Sequence, residues 1–268
     1  MRHPLYLLGG LLLALISLPG HGADYLPVPG GRFRSALPVD DKPVTVAPFL
    51  LRSQPVTNAE FQAFVSRQPQ WQRGKVPSLL AGGSYLSHWA DPVRPGDIAP
   101  NIPVTHVSWF AASAFCESEG ARLPRWHEWE LAAAADAQRA DARQDPAWRA
   151  RILRWYERPA TGSLPPVGRD ANLWGITDLH GAIYEWVEDF NGLFVTVDSR
   201  SQGEQKTLET CGAAALSLDD RENYAILMRI AMLSALAGRD TLSTLGFRCA
   251  RDVPATPPAA APIKRETS

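Results

Sequence analysis

Hydrophobic positions in this chain fall in short runs, each soon interrupted by Pro, Gly or a polar cluster. The longest run comes first. Leu5 to Leu18 is apolar apart from Ser17, Arg2 precedes it, and Pro19, Gly20, Gly22 and Ala23 follow. That charged, apolar and small-residue order is the pattern of a secretory signal peptide, and the apolar part is shorter than the roughly 20 residues a spanning helix needs. Residues 1–23 are therefore expected to be an export signal. The next run, VTVAPFLL at residues 44–51, reads as a strand with Pro48 at an edge or bulge. Thr57 and Glu60 then have capping-box spacing, and Phe61, Phe64 and Val65 share one face of the helix that follows. Residues 69–103 are rich in Pro, Gly and Ser and read as a long surface excursion, held down by Trp71, Tyr85 and Trp89. Ser108 caps a second short helix running to Gly120. Pro124 opens a third through Trp126, Trp129 and an Ala run to about Ala137, and residues 145–158 suggest a fourth. Residues 219–237 have strong helical composition and stop at Gly238, while the Pro- and Ala-rich residues 253–268 read as a disordered tail.

Composition narrows the function classes. With 45% hydrophobic residues the chain can bury one large core, and 27 Lys plus Arg against 28 Asp plus Glu leave no basic stripe for a nucleic acid. Three Cys are too few for a disulfide scaffold or a four-Cys zinc site. In an oxidising compartment Cys116, Cys211 and Cys249 allow one bridge and leave one thiol. Phosphate-cradling GxGxxG and GxxxxGK[ST] motifs are absent. Gly82-Gly83-Ser84-Tyr85-Leu86 begins like a nucleophile elbow but lacks its last Gly, and His127-Glu128 begins like a zincin helix but has Leu131 where the second His belongs. Beyond the signal, His88, His106, His127 and His180 lie too far apart for local chelation on a helix; each reads as a structural His, although distant segments can still assemble a site.

Four segments in order carry a resemblance: FLLRSQPVTNAEFQAFV, PVTHVSWFAASAFCESEGARLPRWHEWELAAAA, PVGRDANLWGITDLHGAIYEW and STLGFRCARD. Together they resemble the formylglycine-generating enzyme, or sulfatase-modifying factor, family, and they span residues 49–252. The resemblance implies an α+β fold of short helices, short strands and many loops, related to C-type lectin domains, over residues 24–252. Trp109, Trp129 and Trp186 are rings suited to pinning loops to such a core, and Gly175 and Gly181 permit tight turns. The resemblance also pairs Cys116 with Cys249 as a disulfide.

The departures bear on function. The enzymes hold copper(I) with two Cys upstream of the Gly-Phe-Arg segment, since a soft ion wants thiolates. Counted back without gaps from Gly246, those positions are Asp220 and Ala225, which makes formylglycine-generating oxidation the weakest of the readings. Arg229 matches the family, and Leu233 stands where a second Arg is expected. The family's calcium turn has Ala182 in place of Asn, with Glu185 retained. The stretch from Cys211 to Leu236 resembles the exported branch associated with copper nitrite reductases (the NirV type). This implies a non-catalytic accessory or binding protein, periplasmic or secreted, with no nucleic acid, no membrane span after signal cleavage, and a periplasmic partner such as a copper enzyme. The alternative is a copper-binding enzyme or oxidoreductase with a relocated site, in which Cys211 is the thiol and Arg229 and Glu185 line the cleft.

Overall fold

A computed structural model describes residues 24–37, 42–156, 163–193 and 224–253. The signal segment, Cys211, Asp220 and tail residues 254–268 lie outside the described residues. The fold is α+β, with mixed short elements and much of the chain in turns. Strands β1 (Tyr25–Val28), β4 (Phe49–Arg52) and β7 (Ala250–Asp252) form an antiparallel sheet in the order β1-β4-β7. Register runs Tyr25 to Arg52 and Val28 to Phe49 on one side of β4, and Phe49 to Asp252 and Leu51 to Ala250 on the other. Strands β2 (Gly31–Phe33) and β3 (Val44–Val46) pair as a separate antiparallel ribbon. The run at 44–51 is thus two strands in two sheets rather than one. The break falls at Ala47-Pro48, where Pro48 has no N–H to offer a ladder.

Helix α1 (Asn58–Arg67) starts as its sequence predicts. The Glu60 amide donates to the Thr57 hydroxyl, and the Glu60 carboxylate accepts from the Thr57 amide at 2.9 Å. Helix α2 (Trp109–Ser118) is capped by Ser108, which accepts from the Ala111 amide. Helix α3 (Trp126–Ala133) begins two residues after Pro124 because the Glu128 carboxylate folds back to the Arg125 amide at 2.8 Å. It also ends short of Ala137. The Asp136 side chain captures the Gln138 and Arg139 amides at 2.9 and 2.7 Å, which turns the chain instead of prolonging the helix. Helix α4 (Pro146–Tyr156) lies within the predicted span, and helix α5 (Tyr224–Ser234) ends before Gly238, where Asp240 accepts from the Ala237 amide. The two-residue strands β5 (Tyr184–Glu185) and β6 (Leu245–Gly246) pair in parallel.

The core is aromatic. Phe61 from α1 contacts Phe64, Trp89, Phe115 and Phe247 with ring centroids 5.3 to 6.2 Å apart, and such pairs add about 0.5–1.5 kcal/mol each beyond their buried area. The 69–103 excursion is tied down as expected and by one residue more. Trp89 donates to the Asn58 side chain at 2.8 Å and the Tyr85 hydroxyl to the Trp71 carbonyl at 2.9 Å. The Arg73 guanidinium gathers the Leu86, Ser87 and Trp89 carbonyls. Two indoles clamp reciprocally: Trp109 donates to the Val187 carbonyl and Trp186 to the Val107 carbonyl, at 2.9 and 3.0 Å. Gly175 and Gly181 take φ of 77° and 94°, the left-handed turns expected of them.

Cys116, near the end of α2, is bonded to Cys249, just before β7, with Cα atoms 5.5 Å apart. Both are fully buried beside Phe115 and Phe247. The bridge joins residues 133 apart in sequence, and loop-closure entropy places its stabilisation at about 4–5 kcal/mol. Replacing both Cys with Ala should lower the unfolding free energy by roughly that amount in denaturant titration; a loss below about 1 kcal/mol would show that the bridge does not constrain the unfolded chain.

Candidate functional site

Trp129 is the hub of the site. It sits on the inner face of α3, fully buried, and its indole N–H donates to Glu185 Oε2 at 2.9 Å. Glu185 lies in β5, opposite Gly246 of β6. Arg248, two residues beyond β6, meets it in a fork: Nε to Oε2 at 2.8 Å and Nη2 to Oε1 at 2.9 Å. Both partners have no exposed side-chain surface. The rest of the guanidinium donates to the Thr177 and Arg52 carbonyls at 2.8 and 3.2 Å. A bidentate pair so fully bonded offsets its desolvation.

Arg229 of α5 lies on the other side of Trp129. Its guanidinium carbon is 3.9 Å from the centre of the Trp129 ring and 5.3 Å from that of Tyr184. It is fully buried, Nη2 donates to the Ile183 carbonyl at 3.2 Å, and Nε and Nη1 have no hydrogen-bond partner. Arg229 and Glu185 both contact Trp129 and both are fully buried, where the sequence reading expected them to line a cleft. One turn before Arg229 on α5 is Ala225, the position that the gap-free count from Gly246 gives to a family thiol. It is 8% exposed and clusters with Ala142, Trp148 and Ile152, so α4 covers it. Between them is a crevice of only about 10 Å³, lined also by His180 and Ile226, room for one water at most.

The metals implied by the family can be tested on these donors. Ala225 has no donor atom, and Trp148 and Ile152 fill the space beside it, so the described half of the copper(I) thiolate pair does not fit copper. Both Glu185 oxygens are engaged by Arg248 and Trp129, and Ala182 carries no side-chain oxygen, so these side chains do not fit calcium. Among the described residues no group of three or more His, Cys, Asp or Glu is placed to hold a metal. Cys211 lies outside the described residues.

Three of the four histidines are accounted for as structural groups by their contacts. His127 reaches the Leu37 carbonyl at 3.3 Å and His180 the Ala133 carbonyl at 2.9 Å. The third, His106, takes φ of 54° where its carbonyl accepts from the Leu86 amide. Its ring meets that of His88 with centroids 4.7 Å apart, a pairing of distant segments that no local spacing announces. Burial pushes His88 down to about 4, helped by His106 and Arg73. Burial, with the Arg229 charge beside it, pushes the His180 imidazole down to about 3. His180 packs edge-on between Trp129 and Trp148, and its Nδ1 is buried without a partner. His180 also borders a second, larger cleft of about 750 Å³ on the outer side of α4. One wall of that cleft comes from the PVGRDANLWGITDLHGAIYEW segment, while along α4 only the 148, 151, 152, 155 spacing hints at a shared face.

Residues 19–253 match the sulfatase-modifying factor enzyme 1-like domain. The chain is 28% identical over 232 residues to a Mus musculus protein named inactive C-alpha-formylglycine-generating enzyme 2, covering 66% of this chain and 74% of that one. It is 26% identical over 282 residues to the formylglycine-generating enzyme of Thermomonospora curvata, covering 84% and 92% respectively. Similarity to the hercynine oxygenase of Mycolicibacterium thermoresistibile is 32% over 168 residues, which is 53% of this chain and only 36% of that enzyme. The crystal structure of CarF superposes with a TM-score of 0.51 at 17% identity, over 86% of this chain and 98% of CarF, a likeness of fold.

Two outcomes follow from the stack. Glu185→Gln strands the buried Arg248 cation and should cost about 3–5 kcal/mol, whereas joint replacement by Glu185→Leu and Arg248→Met leaves no orphaned charge and should cost less than the single change. Urea unfolding of the three proteins checks the order; additive losses would refute it. His180 binds a proton in the unfolded chain near pH 6.5 but in the folded chain only near 3. Stability should therefore fall as pH drops between those values, by up to about 1.4 kcal/mol per unit from this residue. A His180→Asn variant should show a shallower slope of unfolding free energy against pH; an unchanged slope would mean His180 is charged in the fold.

Proposed function

The chain belongs to the sulfatase-modifying factor family, and we propose that it is a non-catalytic, exported accessory or binding member of it. The observation that carries this reading is Ala225. At the position expected to supply a copper-binding thiolate, the chain has a methyl group, and the Trp148 and Ile152 side chains of α4 lie against it with about 10 Å³ to spare. A thiolate pair, its copper ion and a peptide substrate need far more room than that. The family accommodates loss of activity, since one relative of this chain is named inactive.

Two features support export. Residues 1–23 have the order of a signal peptide, and the Cys116–Cys249 bond suits an oxidising compartment. The resemblance of residues 211–236 to the branch associated with copper nitrite reductases points to service in periplasmic copper or nitrogen-oxide metabolism, with a copper enzyme as partner.

The test is copper(I) titration of the purified protein, combined with an assay on a sulfatase-type Cys peptide. We expect no formylglycine in the peptide with copper supplied, and no stoichiometric copper(I) site. Conversion of the peptide would overturn the reading outright. A stoichiometric copper(I) site that disappears in Cys211→Ser would replace it with an enzyme whose site has moved to that thiol.

A further inference from the structure

We propose that the cleft on the outer side of α4 is a binding site for a small carboxylate carried on a flat, apolar body. The cleft encloses about 750 Å³, within the span of small-molecule sites, about 300–1,000 Å³. One wall is α4, whose Trp148, Arg151, Ile152 and Trp155 share a face by helical spacing, with Arg154 at its rim. The other wall is formed by the turn around Arg169 and Asp170 and by Ile176, Leu179 and His180.

The charges do not balance inside it. Arg151 and Arg154 are exposed and lie three residues apart on one helix, where like charges repel. Among the described residues neither has a hydrogen-bond or ion-pair partner. A third guanidinium, Arg169, about one-third exposed, is ion-paired with the buried Asp178 carboxylate, so the unbalanced charge is that of Arg151 and Arg154. Arg169 donates to the Gly181 carbonyl at 3.2 Å, and its Nε, 3.5 Å from an Asp178 oxygen, lacks a hydrogen-bond partner. Against these stand two acids. The carboxylate of Asp136 is already committed to the Arg139 side chain and to backbone amides, which hold it down to about 2. Asp170 is exposed at the mouth. His180 is neutral and contributes no charge; with Nε2 donating to the Ala133 carbonyl, its Nδ1 is an acceptor.

Guanidinium forks match carboxylates, and the two indoles with Ile152, Ile176 and Leu179 match a flat apolar body. A bare small anion would leave those apolar walls unused, and an apolar molecule without a charge would leave Arg151 and Arg154 facing each other. The cleft shares Trp148, Ile152 and His180 with the crevice at Ala225, but Arg151, Arg154 and Arg169 line the cleft alone, so the proposal does not depend on whether the Ala225 position is catalytic.

Calorimetric titration with 2-naphthoate, 2-naphthamide and acetate tests the inference. Naphthoate should bind one to one, with the amide and acetate each at least about tenfold weaker, a difference of ~1.4 kcal/mol. The double variant Arg151→Ala/Arg154→Ala, changed only at exposed positions, should keep its melting temperature and lose naphthoate affinity by at least about tenfold. Arg94→Ala, on an exposed ion pair elsewhere, should bind as the parent does. Absence of saturable naphthoate binding, equal binding of the amide, or full affinity in the double variant would each overturn the proposal.

Discussion

The fold depends on one buried carboxylate. Glu185 comes from a strand of two residues, too short to hold its own position, yet it receives the Arg248 fork and the Trp129 indole. Through Arg248 it reaches the carbonyls of Thr177 and Arg52. Five separate segments therefore meet on one pair of charges: α3, the end of β4, the turn before β5, β5 itself and the stretch after β6. In a chain where regular structure is sparse, backbone ladders cannot fix the long connections relative to each other. Buried guanidinium and indole groups, each with donors pointing several ways, take over that task.

That arrangement holds the family scaffold without calling on any side chain at residue 225. Trp129, Glu185, Arg229 and Arg248 hold the middle of the molecule together whether or not a thiolate stands at residue 225. Helix α4 meets Ala225 and His180 but makes none of the hydrogen bonds to Glu185, so the stack does not rest on it.

Much of the fold was legible from residues alone. The Thr57–Glu60 box and the Ser108 cap announced α1 and α2, because capping chemistry is local. The pinning role of the three tryptophans followed from ring size, although their partners did not. The ends of α3 and α5 were misplaced because Asp136 and Asp240 redirect the backbone with side-chain hydrogen bonds, against the helical propensity of the Ala and Leu around them. The Cys116–Cys249 pairing came from resemblance; spacing left three pairings open. Arg229 and Glu185 were found as a pair, but their burial was not, since nothing local says that an Arg will lie flat on a Trp. The arginines of the outer cleft were invisible: their meaning depends on a turn near residue 169 arriving opposite α4.

The disulfide also determines what becomes of the molecule after damage. Cys116 and Cys249, 133 residues apart, bracket about half of the chain. A single backbone cut anywhere between them leaves both pieces covalently attached, one through α2 and the other through the segment leading into β7. A protease acting there produces a nicked protein of unchanged mass apart from one water, still joined at the aromatic core, and the two pieces part only when the bond is reduced. Wherever a protease reaches this loop, the bridge sets survival as well as stability.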